Sequence, residues 1–175
     1  MVANMILLRR AGAAALLLGS VFGAGGAQAV EPSPLGTFKD WTAYTYKAAD
    51  TKVCYVVSQP KSSAPKAAKR DPIFFLVTHM PGRKVKGEVS TIIGYPFKKE
   101  AVVTIKVDDK SFQLFTSADG AWADKPDTEK QIVAAMKDGK SLSVEGVSWR
   151  GTETTDTYSL AGLTAAMDKI DEACK

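Results

Sequence analysis

The residues able to do chemistry in this 175-residue chain are few and far apart. There is one histidine, His79, and there are two cysteines, Cys54 and Cys174. That inventory excludes a Cys/His zinc cluster and a CxxC redox pair, since both need their ligands or thiols at close spacing. A serine triad needs an imidazole base, and His79 ends an apolar run just before Met80-Pro81-Gly82, with no GxSxG sequence to partner it. A lone histidine there reads as a packing or turn residue. Asp108-Asp109 pairs two carboxylates, but aspartates favour tight turns and these lie between two β-patterned runs. Asp119-Gly120 reads the same way, and no glycine-rich phosphate loop follows a strand. No catalytic residue, metal or cofactor is therefore expected.

Two features point to binding instead. Residues 39–110 hold 14 cations against 7 anions, whereas residues 111–175 hold 7 against 11. An asymmetry of that size predicts an electrostatic dipole whose positive end is Lys61, Lys66, Lys69, Arg70, Arg83, Lys84 and Lys86. Its partners would be anionic envelope components such as phosphates, lipids or acidic glycans; the alternative is a solubilising lysine-rich loop. Trp122, Trp149, Tyr95 and Phe97 lie near turns and offer a platform for sugar stacking, with core and corner packing as the alternative.

The first thirty residues read as an address. Arg9-Arg10 precedes a stretch, 11–30, without a single charge, and Ala27-Gln28-Ala29 closes it with small residues at the two positions a signal peptidase requires. A signal peptide over 1–29, cut between Ala29 and Val30, is expected. The competing reading is an uncleaved anchor, which the five glycines of that stretch disfavour. Export to a periplasmic or cell-surface location argues against nucleic acid as a partner. It also changes the chemistry of the cysteines, because an even pair in an oxidising compartment forms a disulfide more often than two separate buried thiols.

Behind the leader, a Pro/Gly spacer over 30–37 leads into a single domain over 38–175. Residues 41–46, 53–57, 88–93, 141–147 and 152–158 carry β patterning, and the continuous apolar run 73–77 predicts a central strand buried on both faces. Residues 101–107 and 111–115 flank Asp108-Asp109-Lys110 as a hairpin. The stretch 59–72, with prolines and four cations, reads as a break. A helix over 128–138 is predicted from its apolar face, with Thr128 and Gln131 matching a capping box and Gly139 as its stop. A second helix is predicted from Leu160, Leu163, Met167, Ile170 and Cys174, which recur at spacings of three and four, with Ser159 as a cap. A Cys54–Cys174 bond would pin this helix to an early strand. The fold class is mainly β: an antiparallel sandwich with an internal helix and a C-terminal helix.

The opening Gly36-Thr37-Phe38-Lys39-Asp40-Trp41, then Val53-Cys54-Tyr55-Val56-Val57-Ser58-Gln59-Pro60, Ile92-Ile93-Gly94-Tyr95-Pro96, Phe115-Thr116-Ser117-Ala118-Asp119-Gly120-Ala121-Trp122 and the ending Tyr158 through Ala166 to Cys174 follow one another in a distinctive order. In that order and spacing the chain resembles the invasion-associated locus B (IalB) family of exported alphaproteobacterial proteins. The resemblance implies a periplasmic or surface-associated β-rich domain, linked in pathogens to host-cell entry, and brings no catalytic residues. Many members carry a further cysteine soon after the opening Trp; here Tyr44, Thr45 and Tyr46 stand in that stretch, leaving Cys54 and Cys174 as the available pair. The expected function is that of an exported, non-catalytic binding module, with a small glycan-acting envelope enzyme or an accessory subunit of an envelope complex as alternatives. Intact-mass analysis of protein purified from its native host is expected to find a chain beginning at Val30; a retained leader would remove the argument for an oxidising compartment.

Overall fold

The computed structural model describes residues 31–66 and 69–175. The expected leader 1–29 and its cleavage junction Ala29–Val30 lie outside the described residues. Eleven strands form one antiparallel sheet in the order β1-β2-β3-β5-β6-β9-β8-β7-β10-β11-β4. They are β1 (Ser33–Phe38), β2 (Trp41–Lys47), β3 (Lys52–Ser58), β4 (Ser62–Ala64), β5 (Phe74–Met80), β6 (Val85–Ile92), β7 (Val102–Val107), β8 (Lys110–Ser117), β9 (Gly120–Trp122), β10 (Ser141–Val147) and β11 (Glu153–Ser159). Among the described residues there are also two α-helices, α1 (Pro126–Asp138) and α2 (Leu163–Ala173), and a short 3-10 turn over Pro81–Arg83.

The sheet folds over on itself, so the two layers of the expected sandwich are halves of one hydrogen-bonded ribbon. The Trp41 indole N–H of β2 donates to the Ser159 carbonyl of β11 at 3.0 Å. Phe75 of β5 meets Tyr158 of β11 edge to face, with ring centroids 5.8 Å apart. Alternation supplies the core between the layers: Trp41, Val56, Phe75, Val77 and Val89 from one half face Val103, Ile105, Leu114, Leu142 and Val144 from the other. Ile132 and Met136 of α1, with Leu163, Met167 and Ile170 of α2, join the same cluster.

Several expectations are corrected in detail. Residues 30–37 are not a plain spacer, because β1 starts at Ser33 and pairs with β2. Pro34 is tolerated there because β1 is an edge strand, and its register is broken between Pro34 and Gly36. The break over 59–72 contains the short edge strand β4, and β9 follows the Asp119-Gly120 turn. β5 alternates rather than burying both faces: Phe75, Val77 and His79 point inward while Phe74, Leu76 and Thr78 are half-buried. Pro126 starts α1 two residues before the expected capping box, and no side chain caps it. Ser159 ends β11; α2 begins after Gly162, whose φ is +92° and where a Cβ would collide with the Phe38 carbonyl.

The apolar stripe of α2 lies against β1, β2 and β3, as its spacing requires. At the helix terminus Cys174 is bonded to Cys54 of β3, closing a separation of 120 residues with 6.0 Å between Cα atoms. The Lys52 ammonium donates to the Ala173 carbonyl at 2.7 Å beside it. In the chain-entropy description a loop of this size constrains the unfolded state by about 5 kcal/mol, an upper figure. Cys174→Ser is expected to lower stability by about 2–5 kcal/mol in urea unfolding. Reduced wild type should match its midpoint; an unchanged midpoint in the variant would show the bond to be energetically idle.

Candidate functional site

Arg70 organises one end of the sheet. Its side chain and that of Asp156 on β11 are only 5% and 0% exposed. The guanidinium meets the carboxylate through two hydrogen bonds, Nη1 to Oδ1 at 2.8 Å and Nη2 to Oδ2 at 2.5 Å. Its Nε and Nη2 also donate to the Ile93 carbonyl at 2.9 and 2.7 Å. The planar group lies 5.0 Å from the centre of the Tyr95 ring. Tyr95 in turn shares a 2.6 Å hydrogen bond with Thr154. Burial pushes the Tyr95 hydroxyl above its ordinary pKa, with Thr154 and Arg70 opposing.

On this base sits a cleft of about 710 Å³, lined by Lys69, Asp71, Tyr95, Trp149, Arg150 and neighbouring residues. Trp149 and Arg150 form the tip of the β10–β11 hairpin, held by Trp149 N–H donating to the Pro96 carbonyl at 2.9 Å. The Trp149 ring is 59% exposed, and the Arg150 guanidinium stacks over it at 4.8 Å. An indole this exposed, at the rim of a concave site and with two cations beside it, suits a flat ligand carrying negative charge.

The seven cations expected to make one positive surface do not lie together. Arg83 and Lys84 follow the far end of β5, a seven-residue strand about 20 Å long, and Lys86 pairs with His79 near that end, away from Arg70, which precedes its start. Four of them are engaged: Lys61 with Asp40, Arg70 with Asp156, Arg83 with Asp50 and Lys86 with Asp171. Arg70 in particular is a structural ion: its side chain is only 5% exposed, and its N–H groups are taken by Asp156 and the Ile93 carbonyl. Of the aromatic set, Trp149 and Tyr95 share the cleft. Phe97 is buried against Tyr95, and Trp122 lies elsewhere on the sheet against Phe115. Arg150 and Asp156 were not singled out from the sequence. The tip dipeptide Trp149-Arg150 before Gly151 was the available signal, whereas the pairing of Asp156 with Arg70, 86 positions away, leaves none.

His79 has no free ring nitrogen. Its Nδ1 accepts the Gly87 N–H at 3.0 Å, which places the ring proton on Nε2, and Nε2 donates to Asp171 at 3.2 Å. Burial pushes the Asp171 carboxyl up, but contacts with Lys86 and His79 outweigh it and hold the group below the usual carboxylate range. The Asp108 carboxylate accepts the Lys140 and Ser141 N–H groups, which lower its pKa and tie the β7–β8 turn to the start of β10. Burial raises Glu88 and Glu129, the latter also through the charge of Glu88; neither lines the Trp149 cleft. Among the described residues no helix is long and apolar enough to cross a membrane.

The sequence profile described as invasion associated locus B (IalB) protein matches residues 41–171. The chain belongs to the IalB family. Among solved structures it is similar to the crystal structure of invasion associated protein B from Bartonella henselae, at 16% identity and a TM-score of 0.55. That likeness covers 79% of this chain and 96% of the other, and at such identity it speaks to the fold alone. No curated protein matches the chain.

Breaking the ion pair at the base of this IalB-family cleft strands a buried charge. Arg70→Ala is expected to cost about 3–5 kcal/mol. The double variant Arg70→Met/Asp156→Leu should recover most of that loss in thermal unfolding, because no unpaired charge remains.

Proposed function

We propose that this IalB-family protein is an exported, non-catalytic binding module of the cell envelope, and that the Trp149 cleft holds an acidic glycan. The observation that carries the reading is the Trp149–Arg150 stack standing over a cleft that also presents Lys69. A sugar ring would lie on the indole, while Lys69 and Arg150 would meet carboxylate or phosphate substituents through charge-assisted hydrogen bonds. Export is supported by the leader-like pattern of residues 1–29. Binding without turnover is supported by two further features. Among the described residues the cleft is lined by one carboxylate, Asp71, where glycoside hydrolysis uses a facing pair, and both His79 nitrogens are occupied. A role at the host-cell surface or within the envelope is consistent with the same ligand class.

Titration with polygalacturonate, with neutral dextran as control, tests this. Trp149→Ala should weaken polygalacturonate binding about tenfold, equivalent to about 1.4 kcal/mol. Lys69→Glu/Arg150→Glu should remove the salt-sensitive part of the affinity. Equal binding of dextran and polygalacturonate, or no effect of Trp149→Ala, would sink the proposal.

A further inference from the structure

We infer that a second cleft, between α1, α2 and the β5–β6 hairpin, binds a free single-chain amphiphile with an anionic head, such as a fatty acid. Its volume is about 430 Å³, and its lining includes Lys130, Val133, Ala134 and Lys137 of α1, Met167 of α2 and Gly87 of β6. A volume of this size falls within the range of small-molecule sites.

The α1 residues explain the chemistry. Positions 130, 133, 134 and 137 follow the i, i+3, i+4, i+7 rule and share one helical face, distinct from the core face of Ile132, Ala135 and Met136. A solvent face of a helix normally carries polar residues throughout. Here two apolar side chains lie between two lysines, which stand about 10 Å apart along the helix axis. Val133 is half-buried and Ala134 exposed, so the apolar strip opens to the cleft, where Met167 continues it. The floor suits an alkyl chain and the rim an anion.

Asp171, at the inner end, is neutralised by the Lys86 ammonium at 3.0 Å and held by His79. Lys130 has an exposed partner in Asp127 at 3.1 Å, the kind of i,i+3 contact that contributes at most a few tenths of a kcal/mol. Lys137 makes no ion pair among the described residues. The rim therefore keeps a positive surplus over an apolar floor.

The inner wall is shaped by an irregularity in the β5–β6 ladder. A register shift in the β5–β6 ladder occurs between Thr78 and His79, and Gly87 sits opposite it with φ of +81°. That left-handed conformation directs the Gly87 N–H onto His79 and leaves no side chain to fill the cleft. The inference is independent of the acidic-glycan reading, since none of these residues lines the Trp149 cleft.

Amide chemical shifts of the full mature protein, followed while adding monomeric decanoate, provide the test. Saturable shifts centred on Gly87, Val133 and Met167 are expected. Lys130→Glu/Lys137→Glu should weaken the affinity at least tenfold, and Ala134→Trp, at an exposed position that folding tolerates, should block it. Acetate, which lacks the chain, and octyl glucoside, which lacks the charge, should bind at least tenfold more weakly than decanoate. Trp149→Ala should leave the titration unchanged, which separates failure here from failure at the glycan cleft. The inference is overturned by the absence of saturable shifts, by equal binding of octyl glucoside, by an undiminished affinity in the double variant, or by association with anionic vesicles alone.

Discussion

The guanidinium of Arg70, buried against Asp156 and the Ile93 carbonyl, joins parts of the sheet that local hydrogen bonding does not. Arg70 belongs to the segment leading into β5, Ile93 follows β6, and Asp156 lies on β11 in the opposing layer. A charge in this position disfavours arrangements that separate it from its partners, because a desolvated ion left unpaired is costly. The pair therefore sets where the 94–96 turn crosses the sheet. It also sets where the β10–β11 tip can dock, and so the shape of the cleft above it.

The Cys54–Cys174 bond does the corresponding work at α2. An eleven-stranded ribbon has two edges and a core that must be covered at its ends. The edges come together where the β1–β2 turn meets the start of β4 through Asp40 and Lys61. The end is covered by α2, whose Leu163, Met167 and Ile170 bury against the first strands. Hydrophobic contact orients that helix and the covalent bond holds its final turn. Asp171, one turn earlier, then reaches His79 and Lys86, so the helix also builds the inner wall of the α1–α2 cleft.

Charge along the chain gives a misleading picture of charge in space. The cationic first half and anionic second half fold onto each other. Arg70 with Asp156, Lys86 with Asp171 and Lys106 with Glu145 are all pairs between the halves. The sheet sets strands of the two halves side by side, as where β7 pairs with β8 and β10, so ion pairs across the halves offset part of the linear asymmetry. What survives are small local surpluses: Lys69 with Arg150 at one cleft, and Lys130 with Lys137 at another.

The sequence by itself determined whatever depends on near neighbours. The period-two runs, the Asp108-Asp109 turn and the stripe ending at Cys174 each encode a local geometry, and each reappears in the structure. The order and spacing of short stretches pointed to the family whose profile matches residues 41–171. Only tertiary structure decided the rest. β1, β4 and β9 are too short or too irregular to signal themselves and exist because a neighbouring strand supplies their hydrogen bonds. The clefts are likewise products of long-range packing, joining Lys69 to Trp149 and Lys137 to Met167 across turns and helices that no local pattern relates. Side-chain type is written in the chain, but proximity is set by how the ribbon folds over, and binding chemistry depends on proximity.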